Sequence, residues 1–222
     1  MKLTKKALSS SVAIAVLATA GFAMSGSVLA APEVSASAAV ASSYLWRGYD
    51  LGSGTPAVSG DLSVSAGGAY AGIWGSSGDT AAGTEYDLFA GYAFAVGGLS
   101  VDLSVWNYNY PTTSTITGAP NTRFGDLTEV VLGLGYGPFS FTYYDNIAGS
   151  SGYEYYTVGA EYGPFALLVG KHSVPGGDDP VHVDLSYAYN DNLSFTLSQF
   201  VSDEPEDDNL KFIVSYSIPI SR

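Results

Sequence analysis

Two histidines are the main catalytic candidates of this 222-residue chain, because cysteine is absent and thiol chemistry is excluded. His172 precedes Ser173, and a serine nucleophile needs a nearby histidine base and a third group that orients the base. No Asn follows His172 at a useful spacing. The sequence therefore predicts no catalytic residues, and we expect that the chain is not an enzyme.

Metal binding is the other chemistry that these residue types could support. His182 and Asp184 lie two residues apart, but two ligands alone do not form a metal site, so an internal hydrogen bond is favoured. Acidic residues also cluster in two loops, at Asp178-Asp179 and at residues 203–208. Ca²⁺ takes six to eight oxygens, and no regular Asp-x-Asp-x-Asp-Gly loop is present. Solvated surface charge is favoured, and we predict no metal and no cofactor.

The elements that carry these residues are strands, since about a dozen segments alternate apolar and polar side chains. In residues 86–94, for example, Tyr86 and Leu88 alternate with Asp87 and Gly91. Residues 69–76 are ambiguous because small side chains occupy both faces. The predicted strands are 34–46, 58–65, 69–76, 86–94, 99–106, 128–136, 139–144, 154–162, 165–172, 181–189, 193–200 and 210–218.

Connections between these segments are alternately short and long. The short ones are Gly67-Gly68, Gly97-Gly98, Gly137-Pro138, Gly163-Pro164 and Asn190-Asp191, which are residue types that reverse a strand. The long ones are 48–56, 77–83, 111–125, 146–152, 174–180 and 203–208. Short turns at one end and long loops at the other are typical of transmembrane β-barrels. The sequence predicts an all-β fold, a closed antiparallel up-and-down barrel of about twelve strands.

Aromatic residues favour a barrel over a soluble β-sandwich, which would concentrate large rings inside. One set flanks the short turns, and a second set lies toward the long loops, as in the two interfacial girdles of a membrane barrel. The first set is Tyr92, Phe94, Tyr136, Phe139, Tyr162, Phe165, Tyr189 and Phe195. The second set is Tyr44, Trp46, Trp106, Tyr108, Tyr110, Tyr143, Tyr153 and Tyr156.

If the apolar face meets lipid, the polar face lines the interior, where charged side chains become candidates for selectivity. These candidates are Arg47, Asp61, Glu85, Asp87, Asp102, Glu129, Glu161, His182, Asp184 and Lys211. The excess of carboxylates predicts a preference for cationic or neutral solutes. Internal carboxylates that only hold the wall together are an alternative of comparable weight. Arg47 either pairs internally with Asp61 or Glu85, which is favoured, or anchors at the interface along Trp46.

The N-terminus predicts export. Lys2, Lys5 and Lys6 precede an apolar stretch that ends in small residues, so residues 1–30 are predicted to be a signal peptide and residues 31–222 a single barrel domain. Without residues 1–30, five basic side chains face 21 acidic ones, a net charge of −16. Nucleic acid is therefore not an expected partner.

Five motifs resemble, in order and spacing, the TorF-type porin family of proteobacteria. They are residues 42–48 (SSYLWRG), 56–60 (PAVSG), 70–74 (YAGIW), 85–92 (EYDLFAGY) and 108–111 (YNYP). Further along, the resemblance is limited to Glu129 before an apolar strand and to Tyr155-Tyr156 leading to Glu161-Tyr162. The resemblance implies an outer-membrane barrel that passes small solutes, and it supplies no catalytic or ligand-binding residues.

Together these patterns predict a bacterial outer-membrane channel for passive diffusion of small solutes. The expected partners are outer-membrane lipid, lipopolysaccharide and the solutes, and the oligomeric state is open. Two alternatives stay open: a structural or interaction barrel with a plugged interior, and a secreted soluble β-sandwich that binds a ligand through its loops.

Overall fold

The computed structural model describes residues 31–111, 124–148, 151–202 and 209–220. The predicted signal peptide, most of the predicted 111–125 loop and the acidic segment 203–208 lie outside the described residues. None of the described residues form a helix that is long and apolar enough to cross a membrane.

The described residues form fourteen strands, two of which are only two residues long. The strands are β1 Glu33–Ala41, β2 Leu45–Trp46, β3 Tyr49–Asp50, β4 Ala57–Ala66, β5 Ala69–Asp79, β6 Gly83–Val96, β7 Leu99–Asn109, β8 Thr128–Tyr136, β9 Phe139–Asn146, β10 Glu154–Tyr162, β11 Phe165–Ser173, β12 Val181–Ala188, β13 Leu193–Ser202 and β14 Lys211–Pro219.

Twelve of these strands close into one antiparallel barrel, and the short β2 and β3 pair only with each other. From β4 to β14, each strand pairs with the next strand in the sequence. β1 completes the ring because it pairs with both β4 and β14. Ala39 marks this closure, since it lies opposite Ser59 on one side and Ser217 on the other. The predicted fold class is confirmed, and a sandwich of two stacked sheets is excluded.

The two faces of the strands differ as the alternation predicts. On β6, Tyr86 and Leu88 are exposed, whereas Glu85 and Asp87 are buried. In a closed barrel the exposed apolar side chains form the outer surface, so large side chains such as Leu103 stand 53% exposed there. An apolar outside and a polar inside are what a barrel that crosses hydrocarbon requires.

The end of the barrel that carries the short connections, here called the turn end, follows the prediction closely. Gly67-Gly68 and Gly97-Gly98 link their strands with two residues, all at positive φ. Two positive φ angles define the type I′ turn, which matches the twist of paired strands. Residues 137–138 and 163–164 connect their strands equally tightly.

The opposite end, here called the loop end, differs from the prediction at two connections. The first strand ends at Ala41 and not near residue 46, and residues 42–56 form a separate segment, here called the inserted loop. The predicted 77–83 loop shrinks to residues 80–82, because the Asp79 carboxylate accepts hydrogen bonds from the backbone N–H of Ala81 and Ala82 and closes a tight turn.

Candidate functional site

The inserted loop folds into the barrel and contains the β2–β3 hairpin. Arg47 and Gly48 form its turn, with φ of 49° and 89°. Arginine seldom adopts a positive φ, so other contacts must hold this conformation. Leu45 and Trp46 pair with Asp50 and Tyr49 across the hairpin. The hairpin therefore presents Arg47 at its tip, inside the barrel.

Arg47 makes a buried ion pair with Glu129 of β8. Its Nη1 donates to Glu129 Oε1 at 3.0 Å and its Nη2 donates to Oε2 at 2.6 Å. Both side chains are about 95% buried, with exposures of 5% and 4%. Tyr108 donates a further hydrogen bond to Oε2 at 2.8 Å, and Tyr153 accepts one from Nη1 at 3.2 Å. A buried pair with two parallel hydrogen bonds and additional partners satisfies most of the groups that burial removes from water.

Aromatic rings surround the guanidinium of Arg47. Its Cζ lies 4.6 Å from the ring centroid of Tyr144, 4.7 Å from that of Tyr155 and 4.8 Å from that of Trp46. Distances below 6 Å allow a cation–π attraction, which is stronger when water is excluded. The rings and Glu129 therefore hold the tip of the hairpin by electrostatic attraction as well as by packing.

Both histidines support the hairpin from the barrel wall. His172 Nε2 donates to the backbone carbonyl of Arg47 at 2.9 Å, and Tyr153 donates to His172 Nδ1 at 2.9 Å. A backbone carbonyl only accepts hydrogen bonds, so Nε2 of His172 carries a proton. An added Cβ at Gly48 would lie 2.7 Å from Cγ of His182, so the backbone of the turn rests directly on that ring.

His182 belongs to a second buried chain of hydrogen bonds. Its Nδ1 donates to Asp184 Oδ1 at 3.0 Å, and Tyr155 donates to its Nε2 at 2.6 Å. An added Cβ at Gly170 would lie 2.2 Å from His182 Nε2, so glycine at this position leaves room for the pair. Among the described residues, no group of three His, Cys, Asp or Glu side chains is arranged to hold a metal ion.

Glu85 of β6 holds the base of the inserted loop. Its Oε2 accepts from the Tyr44 hydroxyl at 2.7 Å, and its Oε1 accepts from Tyr110 at 2.6 Å. Burial, followed by the nearby charge of Glu85, raises the pKa of both Tyr44 and Tyr110. The two phenols therefore stay protonated and donate their hydrogens to the carboxylate.

The turn-end half of the interior is different, because the inserted loop does not reach it. Asp61 accepts a hydrogen bond from Ser37, and the Tyr70 hydroxyl shares its one hydrogen between the two carboxylate oxygens of Asp102, at 2.9 and 2.7 Å. Asp61 and Asp102 are only partly buried. Glu161 shares the inward parity of Thr157 but is exposed close to the turn end.

The ten candidate residues for selectivity thus fall into separate groups. Glu85, Glu129 and Arg47 belong to the contacts of the inserted loop, as do His182 and Asp184, whereas Asp61, Asp102 and Glu161 lie toward the turn end. Asp87 is buried beside Glu85, and Lys211 lies 5.0 Å from the ring of Phe200. Whether any of them sets selectivity is still a prediction.

Two predictions about the loop end are wrong. The favoured internal ion pair of Arg47 is confirmed, but Arg47 does not extend the first strand and its partner is Glu129, not Asp61 or Glu85, because the chain leaves the barrel wall after Ala41. Most of the second aromatic set also points inward and not toward the interface: Tyr44, Tyr108 and Tyr110 are 4–8% exposed. Tyr143 and Tyr156 stay outside, where both donate to Glu154.

Two residues of the barrel wall that contact the hairpin were not predicted from the sequence. Tyr144 and Tyr155 are among the most buried side chains of the described residues. Their parity was a usable signal, since Tyr144 alternates in step with Thr142, and Tyr155 in step with Thr157. Aromatic residues on the polar face near the loop end indicate that something packs against them from inside.

Closed strands, an apolar outer surface and a polar interior define a β-barrel of the transmembrane type. Residues 27–196 match the model of a family described as "Bacterial protein of unknown function (Gcw_chp)", and the chain belongs to this family. The finer resemblance to TorF-type porins is not confirmed by that match. No curated protein matches the sequence.

Several solved structures are similar to this chain. Outer membrane phospholipase A from Escherichia coli aligns with a TM-score of 0.45 and 14% identity over 83% of this chain and 88% of its own. The phospholipase dimer from Salmonella typhi gives 0.43 and 13% over 82% and 89%. OccK5 (OpdH) from Pseudomonas aeruginosa gives 0.38 and 14% over 82% and 63%. These likenesses concern the fold alone.

The expectation that the chain is not an enzyme needs correction. Proteins that are similar to it include outer membrane phospholipases, which are enzymes by name. The barrel fold therefore does not exclude catalysis. At these identities no activity or catalytic residue is transferred to this chain.

Proposed function

We propose that this protein is a bacterial outer-membrane channel for passive diffusion of small solutes, narrowed at its loop end by the inserted loop. The observation that carries the proposal is the contrast within one closed barrel. Inward-facing polar residues such as Asp61, Ser63 and Asp102 remain accessible to solvent in the turn-end half, whereas the inserted loop occupies part of the loop-end half. An interior that admits water over half its length suits a narrow conduit.

The general architecture of outer-membrane barrels supports the orientation. Short turns face the periplasm and longer loops face outward in such barrels. With that arrangement the inserted loop lies at the extracellular mouth, and the exposed apolar belt contacts lipid and lipopolysaccharide. The signal peptide predicted for residues 1–30 fits the same location.

A cation preference is not part of the proposal. Glu129 is neutralised by Arg47, and Glu85 accepts hydrogen bonds from two tyrosines, so both carboxylates are engaged in holding the inserted loop. Charges committed to internal pairs contribute little to the potential that a passing ion meets. Small solutes of low charge are the substrates that this interior favours.

Planar-bilayer recording of the refolded protein tests the proposal. We expect small, stable current steps for the native chain and larger steps for Arg47→Ala, because the variant releases the tip of the hairpin from Glu129. Lys171→Ala is the matched control, since it removes a cation from an exposed pair with Asp179. Absence of current from both the native chain and Arg47→Ala, across many insertions, would refute channel function.

A plugged structural or interaction barrel is the second candidate. The contacts around Arg47 favour this candidate, because displacing the hairpin from the barrel interior would break a buried ion pair and several ring contacts. Silence of the native chain together with silence of Arg47→Ala would support this candidate.

A further inference from the structure

The inserted loop does not fill the loop-end half of the barrel evenly. Its hairpin packs against the inward faces of β6 to β13, here called the aromatic wall, through Glu85, Glu129, Tyr144, Tyr155 and His172. On the other side it faces β1, β4, β5 and β14, here called the small-residue wall. That wall presents Ala39, Ala41, Ala57, Ser59, Ser76 and Ser215.

A cavity lies between the inserted loop and the small-residue wall. Ser43, Tyr44 and Leu45 line it from the loop, and Trp74 lines it from β5, with its ring 6.2 Å from that of Tyr44. The short side chains of this wall leave space beside the inserted loop. Water therefore has room here, beside a hairpin that stays attached to the aromatic wall.

None of the described side chains that line this cavity carries a charge. Its polar groups are hydroxyls, from Ser43, Ser59, Ser76, Thr196 and Ser215, together with Tyr44. Hydroxyls both donate and accept hydrogen bonds, and the methyl groups and the Trp74 ring between them offer apolar contact. This lining matches an uncharged solute that carries hydroxyl or amide groups on a small carbon frame. It offers no counter-charge to an ion that must shed its hydration shell.

We infer that the passage for solutes runs along the small-residue wall and admits small, uncharged, polar solutes. This inference rests on the proposed channel function and specifies where the channel lies and what it accepts. The inserted loop then acts as a fixed, off-centre constriction, and the aromatic wall holds it in place without forming the path.

Cysteine substitution tests the location, because the natural chain has no cysteine to give background modification. We expect Ser59→Cys and Ala39→Cys in the refolded protein to react with the uncharged reagent iodoacetamide, and their reaction to remove most of the current. Thr157→Cys, buried on β10 of the opposite side, is the matched control and should neither react nor lose current.

Two readouts separate the possible failures. Mass spectrometry measures cysteine modification without any current, so reaction of Ser59→Cys in a protein that never conducts would refute the channel function while confirming the accessible cavity. Conversely, a conducting protein whose current is blocked through Thr157→Cys and not through Ser59→Cys or Ala39→Cys would overturn the assigned path.

A charge placed in the cavity tests the solute class. Ala39→Asp should raise the permeability of K⁺ relative to Cl⁻ and slow the entry of uncharged polyols into vesicles, whereas the native chain should show no marked ion preference. Strong ion selectivity of the native channel, left unchanged by Ala39→Asp, would overturn the assignment of uncharged solutes.

Discussion

The two walls of the loop-end interior differ in how they meet the inserted loop. The aromatic wall meets it with long side chains that make hydrogen bonds and ring contacts, so that Arg47 alone contacts one carboxylate and several rings. The small-residue wall meets it with methyls and hydroxyls and leaves space. The inserted loop is thus held by an ion pair and ring contacts on the side of the aromatic wall, whereas a cavity lies between it and the small-residue wall. A barrel can in this way position an internal loop without filling its interior.

Removal of the Arg47 side chain should have the largest effect. Arg47→Ala leaves Glu129 buried without its cation, and breaking a buried pair in this way costs about 3–5 kcal/mol. Unfolding in denaturant, with the protein in lipid vesicles, measures the loss. Lys171→Ala should change the free energy of unfolding by less than about 1 kcal/mol, because its pair with Asp179 is exposed. Equal losses for the two variants would contradict the role of the buried pair.

The addition of one methyl group to the aromatic wall should come next. A Cβ at Gly170 would lie 2.2 Å from His182 Nε2 and 2.3 Å from the Tyr155 hydroxyl, so Gly170→Ala must displace both rings, at about 1–3 kcal/mol. Gly75→Ala is the milder comparison, since its Cβ would lie 3.3 Å from the backbone oxygen of Glu85, a close contact that a shift of a few tenths of an ångström relieves. A Gly170→Ala variant as stable as the native chain would show that the aromatic wall accommodates an added methyl group at no cost in stability.

Loss of a single hydroxyl from the same wall should cost less. Tyr155→Phe removes the hydrogen bond to His182 Nε2 and keeps the ring beside Arg47, so we expect a loss of about 1 kcal/mol. Tyr162→Phe, at a side chain 88% exposed, should be neutral in the same unfolding experiment. Equal free energies of unfolding for the two variants would show that the hydrogen bond between Tyr155 and His182 makes no net contribution to stability.

Enlargement of a residue on the small-residue wall should affect the current more than the stability. Ala39→Leu extends into the cavity, so the free energy of unfolding should change by less than about 1.5 kcal/mol, while the current falls. A large destabilisation by Ala39→Leu would show that this wall is packed as tightly as the other, and the contrast between the walls would then disappear.

The barrel itself was accessible from the sequence because lipid and water impose opposite demands on alternate residues. Residues 128–136 and 154–162 were predicted to the residue, and Gly67-Gly68 marked its turn correctly. The inserted loop was not predicted, because Tyr44, Leu45 and Trp46 continue the apolar character of the strand before them. Arg47-Gly48 is also an unusual pair for a type I′ turn, where Asn-Gly and Asp-Gly are favoured.

The contacts of the candidate site were less accessible, since they join residues that are distant in the chain. Parity placed Glu129 on the inward face, but no local pattern indicates that Arg47, 82 residues earlier, is its partner. The histidines illustrate the same limit. The expected internal hydrogen bond of His182 exists, whereas the bond from His172 to a backbone carbonyl of the inserted loop depends on a fold that the sequence did not reveal.

The position of the inserted loop directly after β1 also bears on biogenesis. Its hydrogen bonds reach forward 41 residues to Glu85, 82 to Glu129 and 125 to His172. Contacts of such long range cost loop-closure entropy before they form. A nascent chain therefore carries this segment without these contacts until β6, β8 and β11 have been made, so the docking of Arg47 follows the synthesis of the strands that hold it.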